Sequence, residues 1–335
     1  MNILYAIQGT GNGHISRARE VIPHLLKYGQ LDLLVSGTQA EVSLPYIIKY
    51  KKAGISYTFG KQGGIDLIDS VKHLKPFDFL NDIQTFPVNE YDLIINDFEP
   101  VTAWACKLKK KPCIALSHQS SFLSTKTPRT PKKDGFAENI FKYYAPTTDA
   151  YGFHFKPYDS FIHTPVIRAD VRKLEPTNKG HITAYLPAHG DDILIKYFSQ
   201  IKDVQWEVFS KHSKLAYTIG NVHIKPILNN DFTQSLASSD GLITAGGFES
   251  PAEAIFLRKK VLAIPMLNQY EQQCNAKAMK DLGISVVKEI DHTFVSKVNS
   301  WLNFAFPVNI HYPDTIGKIV EDLVMKHGKL MANAS

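Results

Sequence analysis

Thr244-Ala245-Gly246-Gly247-Phe248-Glu249-Ser250-Pro251-Ala252-Glu253, then Ile264-Pro265 and, six residues on, Glu271-Gln272-Gln273-Cys274-Asn275, is the stretch that decides how this chain reads. An apolar run, Gly241–Thr244, stops at a double glycine, and helix-forming residues follow from Pro251. Strand, paired glycines and helix make a turn lined by backbone amides, and the aligned peptide dipoles of the helix favour an anion such as phosphate there. Glu253 falls about one turn into that helix, where a carboxylate can accept both hydroxyls of a ribose; its plainer role is a favourable interaction with the helix dipole. The adjacent Glu271 and Gln272 suit sugar hydroxyls, which both donate and accept, although the same residues also serve as an ordinary helix start.

Outward from this stretch, short β-rich runs alternate with helical ones, the pattern of parallel sheets covered by helices. Met1–Ala6, Leu31–Ser36, Tyr91–Asn96 and Cys113–Ser117 read as strands of a first unit, with helices over Ser16–Tyr28 and Val101–Lys109. His181–Leu186, Gln205–Phe209, Val222–Ile224, Gly241–Thr244 and Val261–Ile264 read as strands of a second. The Pro-containing, aperiodic stretch before it sets the division: residues 1–158, a linker at 159–178, and 179–335, with the last helix expected to pack back on the first unit. Two doubly wound α/β domains of this kind face each other across a cleft and bind ligands at the carboxyl ends of their strands.

Two further loops carry chemistry, and a third is marked only by its position after a strand. Gly9-Thr10-Gly11-Asn12-Gly13-His14 follows the first strand directly. It departs from the dinucleotide fingerprint GxGxxG, because the third glycine comes one residue early and the second strand ends at Ser36-Gly37 without an acid. His14, at the mouth of that turn, is a candidate general base, with a satisfied structural histidine as the alternative. Ile94-Ile95-Asn96-Asp97 ends a central strand on an acid that can fix the tautomer of His14 or, equally, cap the helix beginning near Pro100. Ala188-His189-Gly190-Asp191 follows the first strand of the second unit.

Bulk properties exclude several classes. With 44% hydrophobic and 21% charged residues and a net charge of +6, the 335-residue chain has the composition of a globular protein with two domains. The opening MNILYAIQGTGNGH has no basic leader region, and no apolar run reaches the roughly 20 residues of a membrane span. Three cysteines without CxxC spacing fit a reduced, cytoplasmic protein and give no support to a metal site. Lys107, Lys109, Lys110 and Lys111, then Lys126, Arg129, Lys132 and Lys133, fit solvated helix ends or a face that meets anionic lipid at the inner side of a membrane. No aromatic-interleaved or helix-turn-helix pattern accompanies them, so nucleic acid is not an expected partner.

On these residues the whole chain resembles the GT-B glycosyltransferases, in particular the plant secondary-product and glucuronosyl transferases and the enzyme that makes lipid II. The plant signature H-C-G-W-N-S-x-x-E, then W-P-x-x-x-[DE]-Q-x-x-N, is matched here by Gly247, the aromatic Phe248, Ser250, Glu253, Pro265, Glu271, Gln272 and Asn275, with two extra residues after Pro265. The resemblance implies a nucleotide-sugar donor, held at Gly246, Gly247 and Ser250 by its diphosphate and at Glu253 by its ribose, with Phe248 also at the donor. Glu271 and Gln272 would hold the sugar, and Pro226-Ile227 would read uracil. It further implies that His14 is the base and Asp97 its orienting acid, that Gly11, Gly13, His189 and Gly190 approach the donor, and that His118 and Gln119 face the acceptor.

Three positions depart from the signature. Ala245 replaces its phosphate-binding histidine, Phe248 its tryptophan, and Glu249 the asparagine beside it. Diphosphate charge must therefore be met by His189, glycine amides or a nearby Lys or Arg, and Glu249 must point away from it. The implied reaction is inverting transfer of a hexose from a UDP-sugar or other nucleotide sugar to a small-molecule or lipid-linked hydroxyl. No cofactor and, for want of a DxD motif, no metal is expected. A nucleotide-sugar 2-epimerase of the same fold and a catalytically silent donor-binding protein are the alternatives. Tyr57–Phe86 and Phe122–Tyr144 are the loops expected to set the acceptor.

Overall fold

The computed structural model describes residues 1–37, 44–53, 76–131, 133–227 and 229–328. Of the expected acceptor loops, residues 57–75 lie outside the described residues, as does Lys132.

The first sheet is built from β1 (Asn2–Gln8), β2 (Gln30–Ser36), β3 (Tyr50–Lys52), β4 (Leu93–Asp97), β5 (Ile114–Ser117), β6 (Asp149–Phe153) and β7 (Ile162–His163). They are parallel and ordered β3-β2-β1-β4-β5-β6-β7. Ile3 to Gln8 of β1 and all of β4 are buried, as expected of strands covered on both faces. Helices α1 (Asn12–Leu25), α2 (Pro76–Thr85), α3 (Pro100–Leu108) and α4 (Gly135–Tyr143) belong to this half. Chain order reverses between β1 and β4, which opens a crevice at their carboxyl ends and brings the two expected loops side by side.

The second sheet repeats the plan with β8 (His181–Tyr185), β9 (Gln205–Ser210), β10 (Tyr217–Ile219), β11 (Val222–Pro226), β12 (Gly241–Thr244), β13 (Lys260–Ala263) and β14 (Ser285–Val286). Its order is β10-β11-β9-β8-β12-β13-β14, parallel except for the β10 edge. Helices α5 (Ala169–Arg172), α6 (Asp191–Phe198), α7 (Asn229–Ser238), α8 (Glu249–Phe256), α9 (Tyr270–Asp281), α10 (Phe294–Phe304) and α11 (Ile316–His327) follow among the described residues. The reversal here falls between β8 and β12, so the loop before α8 faces the crevice of the first sheet.

Several elements differ from the sequence reading. Helix α1 starts at Asn12, not Ser16, because Gly11 (φ 93°) ends the turn; Gly13 and His14 therefore sit in the first helical turn. β6 escapes detection because Asp-Ala-Tyr-Gly-Phe has no β-branched residue and no alternation. β7 and α5 fall inside the segment read as linker, and β7 pairs with β6 to extend the first sheet. Ile319, Val320 and Leu323 of α11 join the same apolar core as Val21, Ile22 and Leu25 of α1. Lys326 adds an ion pair to Asp149 at the start of β6 (2.6 Å). Among the described residues no helix is long and apolar enough to cross a membrane.

Candidate functional site

His14 Nδ1 lies 2.8 Å from Asp97 Oδ1, inside the crevice at the head of β1 and β4. A carboxylate only accepts, so Nδ1 carries the proton, and Nε2 has no protein partner among the described residues. Arg17, one turn further along α1, closes a fork on Asp97 through Nη2 (2.7 Å to Oδ1) and Nε (3.1 Å to Oδ2). Its Nη2 is 3.2 Å from His14 Nδ1, but both atoms are donors, so they converge on Asp97 instead of bonding each other. Burial alone would raise the Asp97 carboxyl; Arg17 and His14 outweigh it and hold the group below its ordinary value.

The turn that presents Asp97 is locked locally. Glu99, and not Asp97, caps α3: its carboxylate accepts from the amides of Val101 and Thr102, both at 2.8 Å. Asn96 bonds Glu99 on both sides, donating to its carbonyl (2.7 Å) and accepting from its amide (2.8 Å). Between them Phe98 is forced to φ 57°, which costs a bulky residue on the order of 1 kcal/mol or more. Its ring faces Tyr144 at 4.9 Å.

Across the crevice stands the loop from Thr244 to Glu253. Gly246 packs under α9: a Cβ there would come 2.5 Å from the Gln272 carbonyl, and Asn275 donates to the Gly246 carbonyl at 3.2 Å. Asn275 Oδ1 also meets His118 Nε2 at 3.0 Å, and the His118 ring stacks on Phe248 with centroids 3.9 Å apart. The last asparagine of the E-Q-x-x-N run is therefore a joint between the two halves. Glu253 is buried and forms a two-pronged pair with Arg168 (2.6 and 2.9 Å), so a ribose would have to use the remaining lone pairs of its carboxylate. Glu249 reaches into the first half and pairs with Arg17 Nη1 at 2.7 Å.

Two cavities meet at this point. A cleft of about 370 Å³ runs between Gly11, Gly13 and Ser16 of the first half and Gly247, Ser250 and Glu253 of the second; Phe248, Gln272 and Ile227 also line it. The Ile227 amide donates to the Ser210 carbonyl (3.1 Å), which leaves main-chain contact with a base to the Ile227 carbonyl. A second cavity of about 120 Å³ is lined by His14, Gln119, Glu271 and the rings of Phe98, Phe141 and Tyr144. Thr10 lines both. Gln119 donates to Glu271 at 3.2 Å, and its Oε1 is buried without a partner among the described residues. A third space of about 420 Å³ between α3 and α4 shares Phe98 and Phe141 with the second and carries Lys107, Lys111 and Lys142.

Some expected residues stand elsewhere. His118 lines none of these cavities: it is enclosed, bonded to the Phe153 carbonyl (2.8 Å) and Asn275. His189, Gly190, Pro226 and Gly246 are likewise absent from the walls of the cleft, and His189 Nδ1 is buried without a partner among the described residues. The cations that do line it are Arg168 and Lys211. Arg17 announces itself by its i+3 spacing from His14 once α1 is known to start at Asn12. Arg168 carries no local signal, because it precedes a four-residue helix in a stretch that reads as linker. Of the basic runs, Lys126 and Arg129 are taken up by Asp159 (3.0 Å) and Glu138 (2.6 Å).

Comparison with known proteins places this arrangement. No curated protein matches the sequence. Among solved structures, the chain superposes on Arabidopsis thaliana UGT89C1 complexed with UDP with a TM-score of 0.60 at 12% identity, covering 99% of both chains. Acinetobacter baumannii MurG gives 0.59 at 14% identity over 97% of this chain and 99% of the other. The spinosyn forosaminyltransferase SpnP gives 0.58 at 12% identity over 99% of each. Residues 71–304, more than half of the chain, match the family model described as glycosyl transferase family 1. With that match spanning both halves and the two facing parallel sheets already described, the chain belongs to glycosyl transferase family 1 and is a GT-B glycosyltransferase.

Proposed function

We propose that the protein transfers a hexose with inversion from a UDP-sugar to an acceptor hydroxyl, with His14 as general base. The observation that carries this reading is His14 on the wall of the small cavity, its Nδ1 committed to Asp97 and its Nε2 unclaimed, where that cavity meets the cleft at Thr10. Nε2 takes the acceptor proton, the freed oxygen attacks the anomeric carbon, and the bond from that carbon to the diphosphate oxygen breaks. General-base help of this kind contributes about 10²–10⁴-fold. The departing charge is met by the amides at the head of α8 and by Arg168 and Lys211, the role Ala245 leaves open, so a metal is not required. Glu271 lines the small cavity and Gln272 the cleft, which supports a reading in which this neighbouring pair contacts the transferred sugar from two sides.

The volume of the small cavity admits the reacting end of an acceptor, and the aromatic rings around it suit an apolar body. A lipid-linked acceptor at the inner face of a membrane fits the exposed Phe136 and Tyr143 beside Lys142 on α4. The 2.8 Å contact of His14 with Asp97 supports a working transferase over a silent donor-binding protein. The test is a thermal-shift screen of UDP, UDP-sugars and GDP-sugars, repeated with EDTA, followed by release of nucleotide diphosphate with hydroxylated acceptors, free and in anionic vesicles. Stabilisation by UDP and acceptor-dependent UDP release that survives EDTA are expected. Sugar-nucleotide binding with no acceptor-dependent release from any acceptor would sink the transferase reading.

A further inference from the structure

Glu249 stands first in α8, beside the amides expected to meet a diphosphate. A carboxylate there gains from the helix dipole, by about 0.3–1 kcal/mol, but repels a neighbouring phosphate. Neither effect explains why its side chain crosses to the other half of the molecule. It does cross, and the first half makes room for it: a Cβ on Gly13 would lie 2.5 Å from Glu249 Oε2 and 3.0 Å from Oε1. The carboxylate ends 2.7 Å from Arg17 Nη1.

Arg17 is thereby gripped on both edges of its planar guanidinium. Nε and Nη2 hold Asp97, and Nη1 holds Glu249. The Arg17 side chain is 3% exposed, Asp97 is fully buried and Glu249 is 27% exposed, so solvent screens this chain of contacts little. Asp97 Oδ1 serves Arg17 Nη2 and His14 Nδ1 together, so a guanidinium free to swing would carry Asp97 away from the imidazole. Charge points the same way. Asp97 and Glu249 face Arg17 from opposite edges, so each carboxylate is held by the same cation and loss of one frees the guanidinium to shift toward the other.

We propose that Glu249 is a positioning residue: through Arg17 it holds Asp97 and His14 in their reactive arrangement, so that the meeting of the two halves and the assembly of the base are one event. This inference rests on the transferase reading above and adds to it a residue that touches neither acceptor nor His14. It also gives Gly13 a purpose unrelated to nucleotide binding, namely the seat of the Glu249 carboxylate.

The experiment compares wild type, Glu249→Gln, Gly13→Ala and the double variant, with UDP binding by calorimetry and turnover with whichever UDP-sugar the wild type uses. Wild type that neither binds UDP nor releases it from a UDP-sugar refutes the parent reading before any variant is compared. For the present proposal, Glu249→Gln should bind UDP as tightly as wild type or more tightly, since a negative charge beside the diphosphate is gone, while kcat falls by about tenfold or more. Gly13→Ala leaves the second half untouched and should reproduce that split by displacing the carboxylate. The double variant should be no worse than the poorer single, because both act on one contact. UDP affinity falling in step with kcat would assign Glu249 to the donor loop itself. That result, additive losses, or kcat within about twofold of wild type would overturn the proposal.

Discussion

At the scale of single residues, His14 and Asp97 carry the sharpest predictions. His14→Ala should lower turnover by about 10²–10⁴-fold with UDP affinity little changed, since the ring lines the small cavity and not the cleft. Turnover near wild type would remove His14 from the base role. Asp97 links the site to acid stability. Its folded-state pKa lies below the ordinary carboxyl value because Arg17 and His14 outweigh burial. The stabilisation is therefore complete above the unfolded value of about 3.9 and is lost as pH falls through the folded one. Asp97→Asn should lower the melting temperature at neutral pH, and its further decline below about pH 4 should be shallower than that of wild type. Parallel melting curves across that range would contradict this account. The alternative left open by the sequence, Asp97 as a helix cap, is settled by geometry: a cap must place its oxygen on the first amides of α3, and Glu99 already does so.

At the scale of elements, the loops after β4 and β12 matter because each is rigid for a stated reason. Glu99→Ala removes two amide contacts from the head of α3 and should cost about 1–2 kcal/mol in a urea titration, with a loss of turnover as Phe98 and Asp97 relax. Unchanged stability would mean that solvent replaces the cap, which the full burial of Glu99 argues against. The central strands β1, β4, β5, β12 and β13 are legible in the sequence as apolar runs, because parallel strands covered on both faces are largely apolar, and β2, β8, β9 and β11 as short β-rich runs with polar residues interspersed. The edges β3, β7, β10 and β14 are two or three residues long, too short to show a period. The start of α1 differs from its sequence reading for another reason: Gly13 lowers helix propensity, yet the turn ends at Gly11 and Gly13 is helical.

At the scale of the molecule, α11 ties the end of the chain back to the first sheet through Leu323 and its neighbours. Leu323 is fully buried, so Leu323→Ala should cost about 2–5 kcal/mol, seen as a lower melting temperature. Saturating UDP should recover part of that loss, by about 2.7 kcal/mol at a hundred times its Kd. A ligand that failed to stabilise this variant while stabilising wild type would show that α11 also shapes the cleft.

The sequence by itself determined the two α/β units, the amide-lined turns at Gly246-Gly247 and Gly9–Gly13, and the pairing of His14 with Asp97 as candidates. Strand pattern, turn chemistry and motif spacing are written in neighbouring residues and can be read there. Tertiary structure decided which residues complete the site. Arg17 meets Glu249 across 232 positions, His118 meets Asn275 across 157, and Arg168 meets Glu253 across 85. Contacts at such separations follow from how two sheets face each other, and no local propensity encodes that. For the same reason the family resemblance sets His189 and His118 against ligands while packing directs the one away from the cleft and seals the other between the halves.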